Sequence, residues 1–470
     1  MAAGISGPVL ADEAGEEGVP YTPQTEAQAD AAGTSDLPGL ILGDVFATDL
    51  EPTPYVDEAV QIAQGVTTYE RRRRLLDRPG RGDSVRGRAR PQFDPLGVRL
   101  GAFVLLPTLA VQEQYETNIF AQQNNEEDDF LTRILPNVVL RSDWNNHLLQ
   151  FEGGGDVGRY ADNSDENYED YFIGASGRLD ILRTTALSLR TRYRRLHESR
   201  ESPDDVGAGA ADEPTELDSY SANAALSHDF GRFNATLGGS FLRLHFDDPD
   251  AVGGGSVVEH DRDRNVYTGS LRLGYEIVPA YEAFILGAYN VRDYDGTENG
   301  TGVDRDSHGI ALSLGMDVDF GGIIFGEFFA GIRRQEYDDP TLSSLTGFGG
   351  GADITWNVTG LTTITGTLTG DIRETTQAGA SGRLVSRGEL GVDHELRRNV
   401  ILGATANLAR DDYEGINRTD YIYGGTASAL YLINRYLRGA FEYEFRQRDG
   451  DASNNDFTNH VFMLRLALQY

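Results

Sequence analysis

The groups in this sequence with chemistry to offer are arginines and carboxylates set at every second position. At 187–194, Leu187, Leu189 and Tyr193 alternate with Arg190, Arg192 and Arg194. At 437–446, Leu437, Phe441, Tyr443 and Phe445 alternate with Arg438, Glu442, Glu444 and Arg446. Period-2 alternation sends the two sets to opposite faces of a strand. The same spacing puts Arg243, Arg272, Arg333, Arg373 and Arg465 on the polar side. Such a polar face suits the water-filled lumen of a large barrel. There the arginines could form tracks that attract anions or acidic sugars. Equally, they could pair with carboxylates across strands and merely satisfy the wall. Both readings stand at this point.

Nothing in the sequence converges on catalysis. The eight histidines are scattered, and only His260, between Glu259 and Asp261, has an acidic setting; a solvated loop histidine is the simpler reading there. No catalytic residue, cofactor or metal ligand set is expected, and an enzyme is not predicted. Cysteine is absent, which removes disulfides and thiol metal sites. The acidic segments could offer oxygen ligands to Ca²⁺ or Mg²⁺, but none has a defined ligand spacing.

The elements that must position these residues are long strands. From Phe103 onwards, segments of about 12–15 alternating residues are divided by connections that are alternately very short and long. The short ones include Asn145-Asn146, Arg183-Thr184, Gly231-Arg232, Pro279-Ala280 and Gly321-Gly322, with the chemistry of tight hairpins. The long ones are mostly acidic, as at 124–129, 161–170, 201–216, 247–256, 295–306 and 409–420. Nine long and eight short connections imply about 18 strands, an even number as a single-chain bacterial barrel requires. The fold class predicted is all-β, a transmembrane antiparallel up-and-down β-barrel. A propeller would need four short strands per repeat, and a β-helix a shorter period. No window approaches the ~18 apolar residues of a spanning helix.

The last strand fits this picture. Phe462, Leu464, Leu466, Leu468 and Tyr470 alternate with Met463, Arg465, Ala467 and Gln469. The first set would face lipid, with Tyr470 in the interfacial girdle, and the stretch resembles the C-terminal signal read by the barrel-assembly machinery. With nine long loops on one side, both chain termini fall on the short-turn side, the periplasm.

Residues 100–470 form the expected barrel, and 12–99 a largely disordered periplasmic extension. Within it Tyr55–Tyr69 could form a short helix, followed by an Arg-rich linker running from Arg71-Arg72-Arg73-Arg74 to Arg86, Arg88 and Arg90. Residues 1–11 have the look of a signal-peptide remnant ending Val9-Leu10-Ala11. Net charge is −33, with 74 acidic residues against 41 basic ones, every one of them arginine. That balance argues against nucleic acid as a partner.

The junction RPQFDPLGVRLGAF (Arg90 to Phe103) and the first strand's ending YETNIFA (Tyr115 to Ala121) resemble the start of the barrel in the putative β-barrel porin type 2 family. GRYADNSDENYEDY (Gly158 to Tyr171) and LHESRESPDDVG (Leu196 to Gly207) extend the resemblance over roughly 90–470. It implies an outer-membrane protein. Some members are linked to exopolysaccharide secretion with a periplasmic export partner, and the family offers no agreed catalytic residues. The expected function is a channel exporting exopolysaccharide or passing polar or anionic solutes. Alternatives are a general diffusion porin, or a structural or adhesive barrel acting through its acidic loops. Outer-membrane lipid, lipopolysaccharide and a polysaccharide-export complex are the expected partners.

Overall fold

In the computed structural model, residues 84–298, 301–451 and 455–470 are described. The signal-peptide remnant, the Tyr55–Tyr69 helix and the Arg71–Arg74 run lie outside them. After a short strand β1 (Val98–Leu100), eighteen long strands follow. They are β2 (Phe103–Glu116), β3 (Asp129–Ser142), β4 (Leu148–Tyr160), β5 (Tyr168–Leu182), β6 (Thr185–His197) and β7 (Glu216–Phe230). Next come β8 (Phe233–Phe246), β9 (Arg264–Val278), β10 (Tyr281–Tyr294), β11 (Ser307–Asp319), β12 (Ile324–Tyr337) and β13 (Leu345–Thr359). The set ends with β14 (Thr362–Arg373), β15 (Gly382–Arg397), β16 (Val400–Glu414), β17 (Thr419–Leu432), β18 (Leu437–Gly450) and β19 (Phe457–Gln469).

Each strand from β2 to β18 pairs antiparallel with the next, and β19 returns to β2, from Val461↔Glu116 to Gln469↔Thr108. The barrel is closed, so no strand of the ring presents a bare edge, as hydrocarbon demands. β19 stops short of the first residues of β2. There β1 takes over the ladder, Val98↔Leu105 to Leu100↔Phe103.

The turn chemistry explains the hairpins. Gly231, between β7 and β8, has φ +82°, a left-handed conformation that glycine adopts without strain. One long-loop segment is much shorter than the sequence suggests, because acidic residues continue the ladders. The expected loop at 409–420 shrinks to 415–418: Asp411 is held by Arg383 at 2.6 Å, and Arg410 pairs with Asp412 at 3.0 Å. Charge here reports pairing within and between strands, not the end of a strand.

The two faces separate cleanly. Leu314, Leu368, Leu390, Leu464 and Leu468 are among the large apolar side chains left exposed on the outer face. Aromatics cluster on it in two bands. Phe233, Tyr275, Phe320, Trp356, Tyr436 and Tyr470 lie near the short turns, and Tyr115, Tyr171, Tyr220, Tyr267, Phe348 and Tyr421 towards the long loops. These are the girdles of a lipid-facing band. Phe462, Leu464, Leu466, Leu468 and Tyr470 all stand on this face, and the Tyr436 and Tyr470 rings stack at 5.8 Å. No helix among the described residues is long and apolar enough to cross a membrane.

Candidate functional site: the barrel lumen

The inner row carries the polar residues. Arg190, Arg192 and Arg194 of β6 sit opposite Asn223, Ser221 and Ser219 of β7, all three buried. Arg190 is exposed to lumen water, while Arg192 Nε donates to Glu152 at 3.1 Å. Arg272, with no exposed surface, donates to Glu282 at 2.9 Å and Asp317 at 2.8 Å, approaches Glu327 at 3.2 Å and lies over the Phe284 ring. Arg333 pairs with Asp371, and Arg446 with Glu444 at 2.7 Å. Arg465 donates to Gln112 at 2.7 Å. Arg373, Arg438, Glu442 and Glu444 share the inner row of their strands.

Arg243 is a correction. It stands on the outer row of β8 beside Tyr220, at the long-loop rim, and donates to Asp295 at 2.7 Å. The inner row there is Leu242, Leu244 and Phe246, packed with Leu217 and Val266. Assigning apolar residues to lipid gives the wrong parity at this place, because something inside the lumen covers them.

The Arg262 guanidinium lies over the Phe246 ring, and Glu198 ties it to the β6–β7 connection, 198–215. This connection folds into the lumen, leaving Glu198, Arg200, Ala211 and Thr215 buried. Arg200 makes a two-pronged contact with Glu166 at 2.7 and 3.0 Å. The tip then reaches the far wall. Glu201 accepts from Arg446 and Asn459, both at 3.0 Å. Asp204 accepts from the Thr375 hydroxyl at 2.7 Å and the Thr376 N–H at 3.0 Å, and faces Arg383 at 3.4 Å. Burial pushes the Asp204 carboxyl up, but Arg383 and Arg262 with these hydrogen bonds hold it below the usual range. The sequence reading places 201–216 outside. The available signal is its apolar content, Val206 and Ala208 to Ala211, within an otherwise acidic stretch.

Between this insert, the β8–β9 and β10–β11 loops and the end of β14 lies a polar cavity of about 460 Å³. Arg262, Arg264, Arg292, Arg305, Arg373 and Arg383 line it, together with Glu198, Asp204, Glu259, Asp261, Glu298 and Glu374. Arg262 bridges Glu198 at 2.8 Å and Glu259 at 2.6 Å. His260 pins its own loop instead, with Nδ1 2.8 Å from Asp248. That hydrogen bond raises its pKa. Among the described residues no cluster of His, Asp and Glu could hold a metal ion.

At the short-turn end a second segment enters. Residues 84–94, expected as a solvated linker, lie against the inner faces of β14 to β19. Val85 N–H donates to Thr363 Oγ1 at 2.9 Å, and its side chain packs with Ile401, Leu430 and Leu432. Arg86 donates to Asp393 at 2.8 Å, while Arg88 and Arg90 converge on Glu395 at 3.4 and 2.9 Å. Gln469 donates to the Phe93 carbonyl at 2.9 Å.

The family described as Putative beta-barrel porin 2 matches residues 90–470. The chain belongs to that family. It is an outer-membrane β-barrel of porin type, and the match starts at Arg90, inside the short-turn segment. A comparison with curated proteins finds no match. Among solved structures, the siderophore receptor PirA from Pseudomonas aeruginosa aligns with 83% of this chain and 85% of its own, at 7% identity and a TM-score of 0.42. OccK3 (OpdO) from Pseudomonas aeruginosa covers 78% of this chain and 96% of its own, at 14% identity and 0.41. The siderophore receptor PiuA from Acinetobacter baumannii covers 80% and 82%, at 11% identity and 0.43.

Proposed function

We propose that this porin-family barrel is a selective, non-enzymatic channel for polar, charged solutes, with an acidic exopolysaccharide strand leaving the cell as its cargo. The observation that carries the reading is the 198–215 insert. It narrows a wide lumen to a passage beside a cavity where guanidinium and carboxylate groups alternate. Such a lining replaces the hydration of a charged sugar piecewise, binding it weakly at several points.

In this reading the short turns and both termini face the periplasm, where an export complex would dock. The long loops meet lipopolysaccharide outside, and Phe462 to Tyr470 serve assembly. Planar-bilayer recording of the folded protein tests the channel. Discrete conductance steps that are blocked by an acidic oligosaccharide and not by a neutral one are expected. Absence of current overturns the reading, and equal block by both sugars overturns its selectivity.

A further inference from the structure

We propose that the inner wall of β14–β19 at the short-turn end is a built docking groove for an arginine-bearing strap, residues 84–94 of this same chain, which closes that sector of the lumen. Three independent contacts define the groove. The first is apolar: Val85, 1% exposed, fills a pocket of Ile401, Leu430 and Leu432 with Phe93 and Ala440 beside it. The second is ionic, with Asp393 and Glu395 placed two residues apart on the inner row of β15 to meet Arg86, Arg88 and Arg90. The third is polar: backbone groups of the strap are satisfied by Thr363 and Gln469, and Arg435 donates to the Pro91 carbonyl at 3.3 Å.

Isolated, none of these features would justify its place. Glu395 is 3% exposed with the strap seated on it, and Arg88 and Arg90 supply the guanidiniums that a carboxylate so covered needs. Ile401, Leu430 and Leu432 turn inward against the rule that apolar residues face lipid, which is explained only by something apolar covering them. Wall and strap are complementary in charge and in shape. The strap rests on the channel reading only for its consequence, a narrowed short-turn mouth; the docking itself does not depend on it.

The native chain has no cysteine, so Leu430→Cys provides a clean reporter beneath the strap. It is combined with deletion of 84–94, or with Arg86→Glu, Arg88→Glu and Arg90→Glu together, which leave the barrel wall untouched. A small charged methanethiosulfonate reagent should label the introduced thiol slowly in the parent and rapidly in both variants. Unit conductance should rise about twofold or more in both. A thiol labelled equally fast in parent and variants overturns the docking. Faster labelling with unchanged conductance, in a protein that conducts, overturns closure of the sector. Faster labelling with no current in any form supports the docking and sinks the channel reading instead. Glu395→Gln, acting from the wall side, should also speed labelling, by a smaller factor.

Discussion

The lumen is entered from both ends, and the two inserts are electrostatic opposites. At the long-loop end the intruding tip is acidic, Glu201 and Asp204, and the wall supplies Arg383 and Arg446. At the short-turn end the intruder is basic, Arg86, Arg88 and Arg90, and the wall supplies Asp393 and Glu395. Both inserts lean on the same third of the ring, β14–β19. The lesson is that this wall has two addresses. Each end accepts one charge sign and repels the other, so neither insert can occupy the other's place.

The sharpest way to break the comparison is at the buried long-loop contact. Arg383→Ala leaves Asp411 and Asp204 facing each other without their shared guanidinium. A loss of about 3–5 kcal/mol, the usual cost of orphaning a buried charge, should appear in denaturant unfolding from detergent. At the other end Arg86→Ala removes a side chain 36% exposed, and the same measurement should register only about 0–1 kcal/mol. A larger loss for Arg86 than for Arg383 would reverse the ranking of the two addresses.

pH sharpens the comparison further. Burial, with Glu198 nearby and Arg262 opposing, pushes the Glu259 carboxyl up to about 7. Burial likewise lifts Asp205 to about 6, against Arg200. Both acids keep their proton in the fold over a range where the unfolded chain has lost it. Their contribution is therefore complete below the ordinary carboxylate range and is lost as pH rises towards about 7. Protection of 198–215 against hydrogen exchange, relative to the intrinsic rate at each pH, should fall between about pH 4.5 and about 7. Protection that grows over this window would refute the sign.

The smallest effects separate inner from outer arginines. Arg190→Glu should shift reversal potential towards cations, because its side chain stands in lumen water. Arg243→Glu, at the outer rim, should leave that potential unchanged and alter stability by no more than about 1 kcal/mol.

Much of the barrel was legible because period-2 alternation is a geometric necessity once one face meets lipid and the other water. Eighteen strands, the eight tight turns and the faces of β6, β18 and β19 follow from it. The inserts were not, and for one physical reason. Alternation reports which faces differ, not what covers them. Leu242, Leu244 and Phe246, with Arg262 over the Phe246 ring, and Ile401, Leu430 and Leu432 under the strap, are apolar residues turned inward by a covering that comes from elsewhere in the chain. Arg243 was misplaced for the same reason. The run 409–414 misled in another way, since Asp411 is spent on Arg383 of the neighbouring strand and Asp412 on Arg410 of its own.

The short strand β1 sets the mechanics of the strap. Only residues 95–97 separate Asp94 from Val98, where β1 is zipped to β2. The last of them, Gly97, is fixed at φ +69°, and an added Cβ would come within 2.5 Å of Val104. A leash this short, at about 3.5 Å per residue, allows Asp94 a travel of only ~10–15 Å. If the strap leaves its groove it must swing about a hinge at the barrel seam, like a door on its frame, and any pull beyond that arc is transmitted straight into the closure between the first and last strands.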